Sequence, residues 1–132
     1  MLKLLLVNPD KGSWTGLASS LEKHGDVDLS WAESGNKALD VISEFVVDLV
    51  VTDEDLGDMT ALEFAAKLLS INPMINCALV SSLSPQDFHE ASEGLGVLTQ
   101  LSPRPSEKEA ENMLDRLKTL KGLASQGNRG PS

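Results

Sequence analysis

The chain has 132 residues, 41% of them hydrophobic and 23% charged, the usage of one folded domain rather than a disordered segment. Twenty acidic against 11 basic residues leave a net charge of −9, which repels phosphate backbones and argues against a general nucleic-acid binder. No apolar run approaches the roughly 20 residues that span a bilayer, so no membrane role is expected. A single cysteine, Cys77, excludes an internal disulfide and fits a reducing cytoplasm. With two histidines, His24 and His89, no zinc-site spacing exists.

Read in chain order, strand and helix signals alternate five times. Leu2–Val7 is a continuous apolar run, the mark of a parallel strand buried on both faces. Trp14, Leu17, Ala18 and Leu21 follow at helical spacing, with Gly25 as a C′ stop. Val27–Ala32 has the mixed character of an edge strand. After Ser34, helical spacing returns at Ala38, Val41, Ile42 and Phe45. Val47–Thr52 is the second continuous apolar run. Thr60 and Glu63 have capping-box spacing ahead of Phe64, Ala65, Leu68 and Leu69, and Pro73 closes that helix. Cys77–Val80 is the third apolar run, and Ser84-Pro85 sets a cap before a proline at the first helical position. Val97–Leu101 reads as the other edge strand. Ser106 and Glu109 form a second capping box before Ala110, Met113, Leu114 and Leu117. Residues 1–121 make one domain, and 122–132, rich in Gly, Ser, Asn and Pro, read as a disordered tail.

This alternation predicts an α/β, doubly wound, five-stranded parallel sheet with helices on both faces. In such sheets chemistry gathers at the carboxyl ends of the strands. Asp53, Glu54, Asp55 and Asp58 follow the middle strand, and four carboxylates so close repel one another unless a cation is near. They read either as a hard-metal or phosphoryl site with a nucleophilic aspartate, or as an acidic loop capping the next helix. Ser81 ends the fourth strand and offers a hydroxyl. Arg104 follows the fifth, where a guanidinium could reach a phosphoryl group or Asp53. Carboxylate, hydroxyl and cation thus fall at one edge of the predicted sheet.

That set resembles the receiver domain of two-component response regulators over about residues 1–120. Asp48-Leu49-Val50-Val51-Thr52-Asp53, then Leu56-Gly57-Asp58-Met59-Thr60-Ala61-Leu62-Glu63, is similar to the family's strand, phosphoacceptor and following loop. Ala78-Leu79-Val80-Ser81-Ser82 is similar to its fourth strand, and Arg104-Pro105 stands at its Lys-Pro pair. The resemblance implies a flavodoxin-like (βα)5 fold and a phosphoryl group accepted on Asp53 from a histidine kinase or phosphotransfer protein. It also implies Mg2+ held by Asp53 and the Asp55 backbone carbonyl, Ser81 bonding the phosphoryl group, and a cis Arg104-Pro105 bond. Output would pass through a downstream protein docked on the face of the fourth helix, fifth strand and fifth helix, including Phe88, Ala91, Leu95 and parts of 106–117.

The sequence also departs from the family. Where most receivers carry two acids after the first strand, this chain has Asn8 and Pro9, leaving Asn8 and Asp10 as candidate metal ligands. Arginine replaces lysine at 104. The family's aromatic switch residue falls by counting near Leu101, and no aromatic occurs from 89 to 132. Two signalling readings follow: a stand-alone phosphorylatable receiver, or a phosphorylation-independent interaction module of the same fold. A third, a phosphatase using Asp53 and Asp55, lacks the further acids, lysine and cap such enzymes need. Residues 1–103 carry five basic and 16 acidic side chains, whereas 104–132 carry six and four. The basic last segment is then a solvated helix face or a surface for an acidic partner.

Overall fold

A computed structural model describes residues 1–122. Five strands, β1 (Leu2–Val7), β2 (Val27–Ala32), β3 (Leu49–Thr52), β4 (Asn76–Val80) and β5 (Val97–Leu101), form one parallel sheet in the order β2-β1-β3-β4-β5. The helices are α1 (Thr15–Glu22), α2 (Gly35–Glu44), α3 (Ala61–Ile71), α4 (Pro85–Ala91) and α5 (Glu107–Leu120). The two mixed runs are the edge strands, and the three continuous apolar runs lie inside, as burial on both faces requires.

Side chains alternate across the sheet and divide the core in two. Leu4, Leu6, Leu49 and Val51 pack with Leu17, Leu21, Met113 and Leu117 beneath α1 and α5. Leu5, Val7, Val50 and Leu79 pack with Ile42, Phe64, Leu68 and Phe88 beneath α2, α3 and α4. Both capping boxes form, at Thr60 with Glu63 and at Ser106 with Glu109, and Ser34 and Ser84 cap α2 and α4. Among the described residues, no helix is long and apolar enough to cross a membrane.

Four local expectations change. The stripe beginning at Trp14 opens with a 3-10 turn, Lys11–Trp14, so Trp14 is buried at the junction with α1 rather than within it. Gly25 is not in the left-handed region; the chain leaves α1 through His24 N–H to the Leu21 carbonyl and Val27 N–H to the His24 carbonyl. β3 begins at Leu49 rather than Val47, because Asp48 forms a corner with Lys3, donating its N–H to the Lys3 carbonyl and accepting the Lys3 N–H on its carboxylate. The expected cis bond before Pro105 is absent, every described peptide being trans. Of the predicted tail, residues 123–132 lie outside the described residues.

Two of the bases at the end of the last helix find acidic partners within the chain. Lys118 pairs with Asp26 at 2.9 Å and Lys121 with Asp48 at 2.9 Å. In the opposite sense, Glu107 pairs with Lys23, and Glu111 meets His24 at 2.9 Å. α5 is thereby laced to the α1–β2 turn and to the corner before β3.

Candidate functional site

The strand order reverses around β1, with β2 on one side and β3 on the other. The crevice above the carboxyl ends of β1 and β3 is where open α/β sheets place ligands. Asp53 stands there, the residue after β3, its N–H donating to the Val7 carbonyl at 3.0 Å. It is half-buried, and burial pushes its carboxyl above the ordinary aspartate range. The Glu54 N–H, donated to Asp53 Oδ1 at 2.9 Å, works against that rise, while the charges of Glu54, Asp55 and Asp10 add to it. No cation pairs with Asp53 among the described residues.

The other acids of the cluster each have separate tasks. Asp58 accepts the N–H groups of Gly35 and Asn36, both at 2.9 Å, and anchors the amino end of α2. Those donors hold its carboxyl below the ordinary range, as expected for an anion at a helix N-terminus. Next to it the Met59 side chain packs directly on Gly35, where a Cβ would lie 2.6 Å from the Met59 sulfur. Asp55 accepts the Gly57 N–H at 2.9 Å, closing a turn in which Gly57 has φ +86°. Glu54 reaches across to the end of β4, where Ser82 donates both its N–H and its hydroxyl to Oε2, each at 3.0 Å.

After β1, Asn8 is buried and serves the turn. Its Oδ1 accepts the Asp10 N–H at 2.7 Å, and its Nδ2 donates to Ser13 Oγ at 3.0 Å. The amide proposed as a metal ligand therefore has its polar atoms engaged locally. The Asp10 carboxylate has no hydrogen-bond or ion-pair partner among the described residues and is close enough for its charge to raise Asp53. The Asp10 carboxylate and Oδ2 of Asp53 are without hydrogen-bond partners among the described residues, whereas no group of three metal-ligating side chains occurs there. Magnesium is commonly bound through one or two carboxylates with several waters retained, so this donor set fits that ion.

Ser81 is buried, its N–H donating to the Leu101 carbonyl at 3.0 Å and its Oγ accepting the Leu83 N–H at 3.1 Å. Its hydroxyl proton remains available to another acceptor. Leu101, the position counted as the switch residue, is buried in the α1–α5 core. Gln100 instead reaches the β4–α4 loop, its Nε2 donating to the carbonyls of Leu83 at 2.8 Å and Ser81 at 3.2 Å. Arg104 is exposed and makes no ion pair among the described residues; it lies in a cleft with Ser13, Trp14, Leu17 and the flanking prolines. The sheet edge thus brings Asp53 near Asp10 and seats Ser81 at the adjoining strand end, while Arg104 lines the separate cleft beside Trp14 and Leu17 and has no ion pair to Asp53.

The remaining singled-out residues are structural. Burial pushes the Cys77 thiol up to about 12, which removes it from nucleophilic chemistry. Phe88 belongs to the core and Leu95 packs against it, whereas Ala91 and, within 106–117, Lys108, Asn112, Asp115 and Arg116 are exposed. Trp31 flanks β1 at the sheet edge and carries Lys11 over its ring at 4.9 Å.

Comparison with solved structures finds extensive agreement in shape at low sequence identity. The chemotaxis response regulator CheY4 of Vibrio cholerae matches with a TM-score of 0.77 and 17% identity, over 89% of this chain and 98% of that one. A CheY-like response regulator receiver domain protein from Methanospirillum hungatei gives 0.79 at 17% identity, over 92% and 98%. A two-component response regulator from Legionella pneumophila gives 0.76 at 20% identity, over 90% and 99%. No protein-family model and no curated protein matches the sequence. At these identities the likeness is one of architecture, and the chain has the flavodoxin-like fold of response-regulator receiver domains.

Proposed function

We propose that this protein is a receiver in a cytoplasmic phosphorelay, accepting a phosphoryl group on Asp53 and signalling by docking to other proteins rather than by catalysis of its own. The observation that carries the reading is the state of Asp53. It lies at the carboxyl end of a central strand, half-buried, with no cation paired to it among the described residues and its carboxyl raised by burial and three neighbouring acids. Such a group gains from any partner that adds positive charge, and a divalent cation held beside it would offset both its own charge and that of an incoming phosphoryl group.

In the proposed step an Asp53 carboxylate oxygen bonds to the phosphorus of a partner's phosphohistidine. The phosphorus–nitrogen bond breaks, and its electron pair returns to the imidazole, which takes a proton from water. Asp10, Asp53 and the Asp55 carbonyl would hold Mg2+, which neutralises charge on the transferring oxygens. Ser81 would donate its free hydroxyl proton to a phosphoryl oxygen. Arg104, exposed and unpaired, would supply counter-charge after leaving the cleft beside α1.

A phosphorylation-independent module is the second reading, favoured by the engagement of Asn8 in its turn and the lack of any side-chain ligand at Pro9. Incubation with magnesium and acetyl phosphate, followed by intact mass and peptide mapping, separates the two. The first reading expects a gain of one phosphoryl group on Asp53, lost in Asp53→Asn. An unmodified wild-type protein at millimolar magnesium would exclude it. Pro9→Asp should tighten magnesium binding, measured by titration calorimetry, by adding an anionic ligand beside Asp10.

A further inference from the structure

The β4–α4 loop is held from two sides. Gln100 donates to the loop carbonyls of Ser81 and Leu83, while Glu54 accepts the loop's N–H and O–H from Ser82. Two donors of one residue converge on a single carboxylate oxygen at 3.0 Å each, which is the corner that a bound anion would occupy. Glu54 spans a sequence separation of 28 residues to fill that corner.

We propose that Glu54 is an internal anion that seats the β4–α4 loop in the unphosphorylated protein and competes with a phosphoryl group on Asp53 for the Ser82 donors. The inference rests on the assignment of Asp53 as phosphoacceptor. Asp53 and Glu54 are adjacent, and β3 is paired to β4 up to Thr52 and Leu79, so the chain leaves β3 beside the end of β4 that leads into Ser82. A phosphoryl group on Asp53 brings further anionic oxygens to that end. Ser82 has one N–H and one O–H, so it cannot serve Glu54 with both while also serving a phosphoryl oxygen.

Phosphorylation then exchanges one anion for another at the loop. What changes at the loop is which residue holds it: Glu54 at rest, the phosphoryl group afterwards. The released Glu54 side chain would be the altered surface beside α3 and α4. This is a positioning role, since Glu54 acts on the reaction through Ser82.

The test uses the full chain with Glu54→Ala, which removes the acceptor, and Glu54→Asp, which keeps the charge on a side chain one carbon shorter. Beryllofluoride with magnesium is the phosphoryl probe, and amide hydrogen exchange at Ser82 and Leu83 reports the loop. In both variants exchange at Ser82 should quicken by about tenfold, the factor carried by one hydrogen bond to a charged group. Beryllofluoride should bind more tightly to both. Unchanged Ser82 exchange in Glu54→Ala would overturn the clasp. Tighter binding in Glu54→Ala but not in Glu54→Asp would overturn the competition, because the charge alone would then account for it. No beryllofluoride response in wild type or either variant would instead overturn the assignment of Asp53, and the competition with it.

Discussion

The α1–α5 flank and the carboxyl-terminal rim of the sheet are both rich in charge, yet they compensate it by different means. On the flank, acids meet bases: Lys118 with Asp26, Lys121 with Asp48, Lys23 with Glu107. At the rim, Asp58, Asp55 and Glu54 are held by backbone N–H groups and one hydroxyl, with no basic side chain among their partners. Acids satisfied by neutral donors keep their negative charge undiminished. The rim therefore stays anionic around Asp53 and ready for a cation, whereas the flank is electrically settled and serves stability.

That contrast can be broken at several points. The largest effect is expected from Gly35→Ala, where the new Cβ would meet the Met59 side chain at 2.6 Å and force it from its place in the core. Overpacking of this kind costs about 1–3 kcal/mol, and chemical denaturation should show it as a lower midpoint with an unchanged slope. Next comes Ser106→Ala, which removes the α5 cap and should cost about 1 kcal/mol by the same measurement. Lys121→Ala breaks a flank pair at the surface and should cost about 0.5 kcal/mol, shrinking as salt is raised.

The smallest effect has the opposite sign. Asp53 is raised above its unfolded value, so its charged form is disfavoured by folding at neutral pH, and the penalty fades as pH falls through its folded pKa. Asp53→Asn should accordingly raise the melting temperature slightly at neutral pH and lose that advantage in acid. In Asp48, burial pushes upward, but the Lys121 and Lys3 contacts prevail and hold it low. Its contribution is therefore present above the unfolded pKa and lost as pH falls through the depressed folded one. A melting series of wild type and Asp53→Asn across the acid range should show the two curves converging.

Much of this was legible in the sequence. Buried parallel strands cannot alternate, so Leu2–Val7 and Cys77–Val80 announced themselves by continuous apolar runs, and local caps such as Thr60 with Glu63 span three residues. The place of Asp53 was legible too, because a residue just after a central apolar run falls at the carboxyl end of the sheet. What escaped were side-chain contacts between distant segments. Glu54 and Ser82 are 28 residues apart, and nothing local distinguishes Glu54 from its acidic neighbours. Arg104 shows the same limit: its position after β5 was clear, but that its loop would line a cleft with Trp14 and Leu17, far earlier in the chain, was not. Nor could the run of acids reveal that Asp58 belongs to α2 and Asp55 to its own turn.

The central claim is that the acidic rim is divided, with Asp53 left reactive while the others are structural. Carbon-13 NMR titration of the side-chain carboxyls, with and without magnesium, tests it most directly. Asp53 should titrate above the ordinary aspartate range and move down when magnesium is added, while Asp58 titrates below that range and is unmoved. If Asp53 titrated together with Asp58, or ignored magnesium, the division would be contradicted.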